Sequence, residues 1–357
     1  MTIAPALPIP ATMRAMVQGD GDQAAIQEVP VPKLDEGDVL VKVDYASLNP
    51  TDWKHVAWLS PKGAVIGCDY TGTVVATTSH PRVHLKVGDR VAGWVHGGMY
   101  PDRGSYAEYL HIPADLCWKV PDNVTPQQAG AYGVPYCTAF HGLVHSQKGA
   151  WPPTKLNKWI LIYGGSSSVG LYALQLAKLM GYKTITTCSP HNNDLVKSYG
   201  ADEIVDYANP AAHLKIKEIT GGGVDVAMDC ISDAKTQAFC VDCFGDKGGQ
   251  LNLTLQADPE VEKKRTDVKL VFTLLYTLFG KDISLAPRGQ KNLIPAIPQE
   301  RDFFAELCAK TPEYISVFGI RPPPLEERQG LDVITAAFEE MKAGKISGKR
   351  IVFKIGA

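Results

Sequence analysis

Between residues 159 and 255 the chain switches repeatedly between two periodicities, and that alternation limits the folds open to it. Residues 159–163 (WILIY) form a short, wholly apolar run, the kind that lies between two covered faces of a parallel sheet. A Gly/Ser loop follows, then an apolar helix over 169–180. The pattern next predicts a strand at 183–187, a helix at 192–199, a strand at 203–206 and a helix at 211–219. Strands at 224–229 and 250–255 flank a helix at 234–244. This spacing predicts a doubly wound parallel sheet with right-handed crossovers.

The flanks differ. Residues 39–45 (VLVKVDY) alternate apolar and polar side chains, as a half-buried strand does. Residues 72–77 (GTVVAT), 89–94 (DRVAGW) and 106–112 are further strand candidates. No long amphipathic helix is expected before Thr125 and Pro126, so the first 120 residues read as an antiparallel β domain of barrel type. After residue 290 a helix near 302–309, the run Pro322-Pro323-Pro324, a helix at 331–343 and a strand at 349–354 are expected. A length of 357 residues exceeds what one core usually serves, so two domains are expected, with the Pro-rich stretch 151–154 as a hinge.

With 36 basic against 38 acidic residues, the chain is no broadly basic nucleic-acid binder. The greasiest run, 270–279, is ten residues long with two threonines, too short to span a bilayer. It suits a substrate wall or a subunit-interface strand. The first residues lack a basic region ahead of an apolar core, so a cytosolic location is expected. Eight scattered cysteines make no disulfide scaffold, and the single C-x-x-C, Cys240 and Cys243, falls on a helix-like segment where core thiols are the ordinary reading.

The loop after 159–163 is Gly164-Gly165-Ser166-Ser167-Ser168-Val169-Gly170. Glycines at such a turn let the backbone approach a pyrophosphate, and the free amides of the following helix favour the anion. Ser168 stands where G-x-G-x-x-G would have a glycine. The second strand ends in Ser189-Pro190-His191-Asn192, with no carboxylate to bind ribose hydroxyls and repel a 2′-phosphate. That favours NADPH, although Ser-Pro also starts ordinary helices. Tyr207, after the third strand, is placed to meet the adenosine end or to pack as a plain tyrosine.

Three further segments carry a resemblance. GCDYTGTV (67–74) has the shape G-x-[DE]-x-x-G-x-V, VGDRV (87–91) follows it, and Leu48-Asn49-Pro50-Thr51-Asp52 precedes both. With the glycine-rich loop, this order resembles the medium-chain dehydrogenase/reductase superfamily. The resemblance implies an α/β protein with a GroES-like β-barrel-type catalytic domain built from residues 1–149 and 292–357. A Rossmann NADPH-binding domain would occupy 150–291, with the active site in the cleft. Zinc-dependent members carry a cysteine near position 49, a G-H-E triplet where this chain has Gly67-Cys68-Asp69, and a four-cysteine lobe near 95–115, where only Cys117 falls nearby. Cys68 and Asp69 cannot hold zinc alone, so a metal-free enzyme is expected.

Within the zinc-free branch, NPTDWK (49–54), SPHN (189–192) and ISGKRIV near the C-terminus resemble the fungal trans-acting enoyl reductases, partners of highly reducing polyketide synthases. The resemblance implies hydride transfer from NADPH to Cβ of an α,β-unsaturated thioester on an acyl carrier domain, then protonation at Cα; reading 270–280 as substrate wall rather than subunit interface makes a monomer the expectation. It implies Lys54 and Thr138 as catalytic residues. Cofactor contacts would come from Thr51, Asp52, Trp53, Lys54, Gly165, Ser166, Ser167, Ser168, Val169, Ser189, Pro190, His191, Asn192, Tyr207, Thr254, Leu255, Ile346 and Ser347. The acyl pocket would be lined by Thr138, Ala139, Phe140, His141, Gly142, Leu143, Val144 and His145, and by Tyr276, Thr277, Leu278, Phe279 and Gly280.

Reducing a conjugated thioester puts charge on its oxygen, which the Lys54 cation or the Thr138 hydroxyl could meet. A solvated lysine and a threonine bonded to its own helix are the plain readings. Some enoyl-thioester reductases of the superfamily place a tyrosine donor shortly after N-P-[ST]-D. Here no tyrosine lies between Ala46 and Asp69, which leaves water, His55, His141 or His145 as the Cα donor. A stand-alone quinone or enone reductase and a non-catalytic NADPH-binding module are the rival readings.

Overall fold

The computed structural model describes residues 8–285 and 292–356. The expected boundary at residue 291 lies outside the described residues. Six parallel strands form one sheet in the order Glu203–Val205, Lys183–Thr187, Trp159–Tyr163, Val226–Asp229, Gly249–Leu253, Val268–Phe272. In chain order of its strands this is 3-2-1-4-5-6, the doubly wound arrangement. Ile160, Leu161 and Ile162 are fully buried, which explains why this strand reads as unbroken apolar sequence.

The order reverses beside Trp159–Tyr163, so the loops after that strand and after Val226–Asp229 diverge and leave a crevice at the carboxyl edge. The helix Ser168–Leu179 starts at this crevice with Ser167 as its cap, the Ser167 hydroxyl accepting the Gly170 amide at 3.0 Å. Its buried face (Leu171, Leu174, Tyr172) packs on the helix Gly133–Phe140, which belongs to the first half of the chain.

The second large sheet runs Leu325–Gln329, Arg350–Lys354, Asp38–Ser47, Asp69–Thr77, Arg90–Trp94, Cys117–Lys119, with Tyr109–Pro113 also pairing Asp38–Ser47. Residues from both ends of the chain thus share one sheet, Val352 opposite Ser47. Several elements differ from the expectation, among them the strands Thr12–Gln18, Ala24–Pro30, Val268–Phe272 and Leu325–Gln329, which the sequence pattern did not mark. A short helix Pro50–Lys54, continued by a π-turn His55–Leu59, precedes Thr125 by some distance. The helix expected near 302–309 extends over Pro298–Ser316 and carries Pro312 inside it. Among the described residues no helix is long and apolar enough to cross a membrane.

Candidate active site

The phosphate loop is built by close approach. Gly164 sits at φ +75°, in the left-handed region that glycine adopts without strain. A Cβ on Gly165 would lie 2.0 Å from the Thr186 hydroxyl, and one on Gly170 would lie 2.3 Å from the Gly164 carbonyl. The amides of Gly164 and Gly165 anchor to Thr187, at 3.0 Å each. Ser168 and Val169 occupy the first helical turn, whose amides have no intrahelical acceptor. This tight cradle, with outward amides at a helix start, fits a dinucleotide pyrophosphate.

Every other residue expected to touch the cofactor from the parallel sheet lies on the same carboxyl edge. Ser189, Pro190, His191 and Asn192 follow the second strand, and the Ser189 hydroxyl is 2.8 Å from the hydroxyl of Tyr207. Tyr207 is 47% exposed, so it is not a core tyrosine. Asn192 donates to the Ser347 hydroxyl at 3.1 Å, which brings Ile346 and Ser347 from the far end of the chain to this edge. Thr254 and Leu255 follow the fifth strand. The sequence reading missed Ile231, an exposed side chain whose Cγ1 lies 3.0 Å from where a Gly164 Cβ would stand. Only the reversal of strand order brings it there, and no local pattern signals that.

On the barrel side, Thr51, Asp52, Trp53 and Lys54 form the helix Pro50–Lys54. Pro50 suits the first helical position, and the Asp52 carboxylate accepts the Asn49 amide at 2.7 Å and the Tyr106 hydroxyl at 2.7 Å. Burial raises the Asp52 carboxyl to about 7 despite those two donors. Lys54 is half-buried, and burial lowers its pKa. Among the described residues it makes no ion pair, and its ammonium lies 5.8 Å from the Trp53 ring.

Thr51 is the hub of an aromatic cluster. Its hydroxyl is hydrogen-bonded to the Tyr276 hydroxyl and lies 3.1 Å from His55 Nδ1, which also sits 2.9 Å from the Thr51 carbonyl. The His96 ring stacks on Tyr276 with centroids 3.9 Å apart. Burial lowers His55 to about 4 and His96 well below the usual histidine value. Phe279 packs on Trp94 at 4.5 Å and, with His96, lines a small cavity of about 30 Å³ that also reaches Arg103 and Lys281. Thr277 bonds the Leu274 carbonyl, Leu278 is fully buried, and Gly280 ends the turn in a left-handed conformation.

Thr138 donates its hydroxyl proton to the Val134 carbonyl at 2.7 Å, which leaves its oxygen as an acceptor. Ala139, Phe140, Leu143 and Val144 are buried in the main core, Phe140 against Tyr136 and Tyr314, and Gly142 packs near Met228. His141 and His145 both face Glu300, Nε2 to carboxylate oxygen, at 2.6 and 3.3 Å. Burial opposes ionisation of Glu300, but these two bonds outweigh it and hold its carboxyl at about 2. Residues 138–145 therefore divide between core packing, this ionic cluster and Thr138.

Where zinc enzymes would place ligands, Asp69 is fully buried against the Arg350 guanidinium, and its second oxygen accepts the Val134 amide at 2.6 Å. Burial raises Asp69, Arg350 and the amide pull it back, and the net value is about 6. Burial also pushes the Cys68 thiol well up. Among the described residues, His141, His145 and Glu300 are one of two groups whose ligand atoms come close enough for a metal. Asp35, Asp38 and His111 are the other, with His111 bonded to Asp38 at 2.7 Å.

Residues 35–122 match the alcohol dehydrogenase GroES-like domain family and residues 168–275 the zinc-binding dehydrogenase family. The trans-enoyl reductase mpsG of Macrophomina phaseolina is 35% identical over 358 residues, spanning 97% of this chain and 99% of that protein. The chain belongs to the trans-enoyl reductase family. The solved CurK enoyl reductase shares its fold at a TM-score of 0.79 and 18% identity, over 97% of this chain and all of that one. The mycobacterial protein Rv1454c, solved with NADPH, aligns at a TM-score of 0.74 and 23% identity, over 96% and 99%. This trans-enoyl reductase is thus a nicotinamide-dependent oxidoreductase of GroES-like plus Rossmann architecture.

Proposed function

We propose that this protein is an NADPH-dependent enoyl reductase acting in trans on a polyketide enoyl thioester held by the acyl carrier domain of a highly reducing synthase. One observation carries the reading. A segment leaving the parallel sheet's carboxyl edge, residues 275–279, crosses to the helix bearing Lys54, so that dinucleotide edge and barrel share one crevice. The near-full-length identity to trans-enoyl reductases supports the carrier-bound substrate.

When bound, the dinucleotide supplies the hydride for Cβ. The chain's own residues do the rest. The cradle at Gly164–Gly170 seats the pyrophosphate, with Thr187 holding the loop against the second strand. Ser189, His191 and Asn192 offer donors where a 2′-phosphate would lie, and no carboxylate guards that turn. Lys54, poorly solvated and without an anionic partner among the described residues, meets the thioester oxygen as it gains charge or fixes the nicotinamide ribose. The Thr138 oxygen, its own proton given to Val134, would be left to accept from the nicotinamide amide. The acyl chain would run along the apolar turn Leu275–Phe279, beside the helix that bears Lys54. Metal is not required in this scheme, because Asp69 is committed to Arg350 and Val134. The protein works as a cytosolic monomer with domains at 1–149 plus 292–357 and 150–291.

The test compares NADPH oxidation with carrier-bound enoyl thioester, free crotonyl thioester and a quinone. A clear advantage for the carrier-bound form is expected; equal rates on all three would favour a stand-alone quinone or enone reductase. Lys54→Ala is expected to cut turnover at least about tenfold with the fold intact. NADPH is expected to bind much more tightly than NADH, as read by fluorescence titration.

A further inference from the structure

The reaction needs a proton at Cα, and the candidates near Lys54 narrow quickly. Thr138 has given its proton to Val134. His141 and His145 are held by Glu300. His55 and His96 are buried and kept neutral, and the ring nitrogen of His55 nearest the crevice faces Thr51. The Tyr276 hydroxyl stands against Thr51, on a segment 225 residues away in the chain.

We propose that Tyr276 is the Cα proton donor, its hydroxyl positioned by Thr51. This rests on the enoyl-reductase reading above. Three observations support it. Tyr276 sits just past the last strand of the parallel sheet, at the carboxyl edge where such sheets hold their ligand. Its hydroxyl meets Thr51, which shares a helix face with Lys54 and His55 through i,i+3 and i,i+4 spacing. The His96 stack and the Trp94 and His55 edges leave the ring little freedom.

The step balances. Hydride addition at Cβ moves the double-bond pair toward the thioester carbonyl and leaves an enolate. The enolate Cα then forms a C–H bond as the Tyr276 O–H breaks. Water admitted as the product leaves the crevice returns a proton to the phenolate, while the Thr51 hydroxyl holds the ring oxygen in place. Over the cycle, one enoyl thioester, one NADPH and one proton give the saturated thioester and NADP⁺.

The full-length enzyme is tested with NADPH and a carrier-bound 2-methyl enoyl thioester in D₂O. Wild type should deliver one deuterium to a single face of Cα. Tyr276→Phe keeps the ring stack, so NADPH affinity should stay within about twofold. Turnover should fall about 100-fold, the usual contribution of a positioned acid, and deuterium should appear on both faces. Turnover within about twofold of wild type overturns the proposal. A rate loss with labelling still on one face also overturns it, making Tyr276 a positioning residue. Should Tyr276→Phe fail to fold, Thr51→Val decides, since it frees the Tyr276 hydroxyl from its anchor. Deuterium on both faces of Cα supports the proposal, and labelling still on one face refutes it. Wild type inactive on every thioester would sink the enoyl-reductase reading instead.

Discussion

Arg350→Met tests the energetics that hold the site together. Arg350 is 2% exposed and Asp69 0%, and the guanidinium also reaches the Asn49 amide oxygen at 3.1 Å. Removing the cation leaves a fully buried carboxylate with the Val134 amide as its remaining donor. Breaking such a pair costs about 3–5 kcal/mol, because the remaining charge is stranded away from water. At roughly 2 °C per kcal/mol for a chain of this size, the melting temperature should fall by about 6–10 °C. The loss should depend on pH in one direction. Asp69 already titrates at about 6 in the folded protein, above the 3.8 of a free aspartate. Without Arg350 its folded value rises further. Below pH 6 both proteins carry a protonated Asp69 and differ least. Above pH 6 wild type has lost its proton while the variant keeps one that the unfolded chain lacks. The gap therefore widens by at most about 1.4 kcal/mol per pH unit. Urea unfolding at pH 5 and pH 8 measures this. A gap of under about 1 kcal/mol at pH 8, or one that shrinks as pH rises, would refute the reasoning. Asp69→Asn added to Arg350→Met should recover part of the loss, since no buried charge remains.

Other consequences are as direct. Gly165→Ala would drive a methyl into the Thr186 hydroxyl, itself 2.6 Å from the Ile162 carbonyl, at a cost of about 1–3 kcal/mol in loop geometry. NADPH titration should show roughly tenfold or weaker binding, and unchanged affinity would move the diphosphate elsewhere. Asp52 titrates at about 7 when folded, so its contribution to stability is full below pH 3.8 and fades as pH climbs to about 7. Asp52→Asn should remove that part of the slope in urea midpoints and leave the same-signed part due to Asp69. An unaltered slope would exclude Asp52.

Most of the parallel sheet was legible because its central strands are buried on both faces, whereas the sixth strand, Val268–Phe272, is an edge strand of mixed burial and was read only as part of an apolar wall. Ile160 to Ile162 and the turn at Gly164 are the clearest cases. The helix Pro50–Lys54 was missed although Asn49, Pro50 and Asp52 spell its start. Five residues are too few for a periodic signal, and tertiary contacts with Tyr106 and Tyr276 hold it. The strand Leu325–Gln329 (LEERQ) was also missed, since it is an edge strand with charged side chains and no apolar alternation. The loop residues expected to hold the cofactor could be proposed from sequence because the strand ends carry them. Tyr276 was read as pocket wall, and its hydroxyl's partner could not be read, because the Thr51 contact is made by topology and not by local pattern.

The pairing of Arg350 with Asn49 joins groups 301 residues apart, whereas the strands of the parallel sheet come from one uninterrupted stretch, 159–272. On the ribosome, that sheet has all its strands in hand long before the barrel receives its closing one. Until Arg350–Lys354 emerges, Asp69 waits without its counterion beside an open sheet edge. Synthesis itself thus makes the crevice the last part of the molecule to assemble.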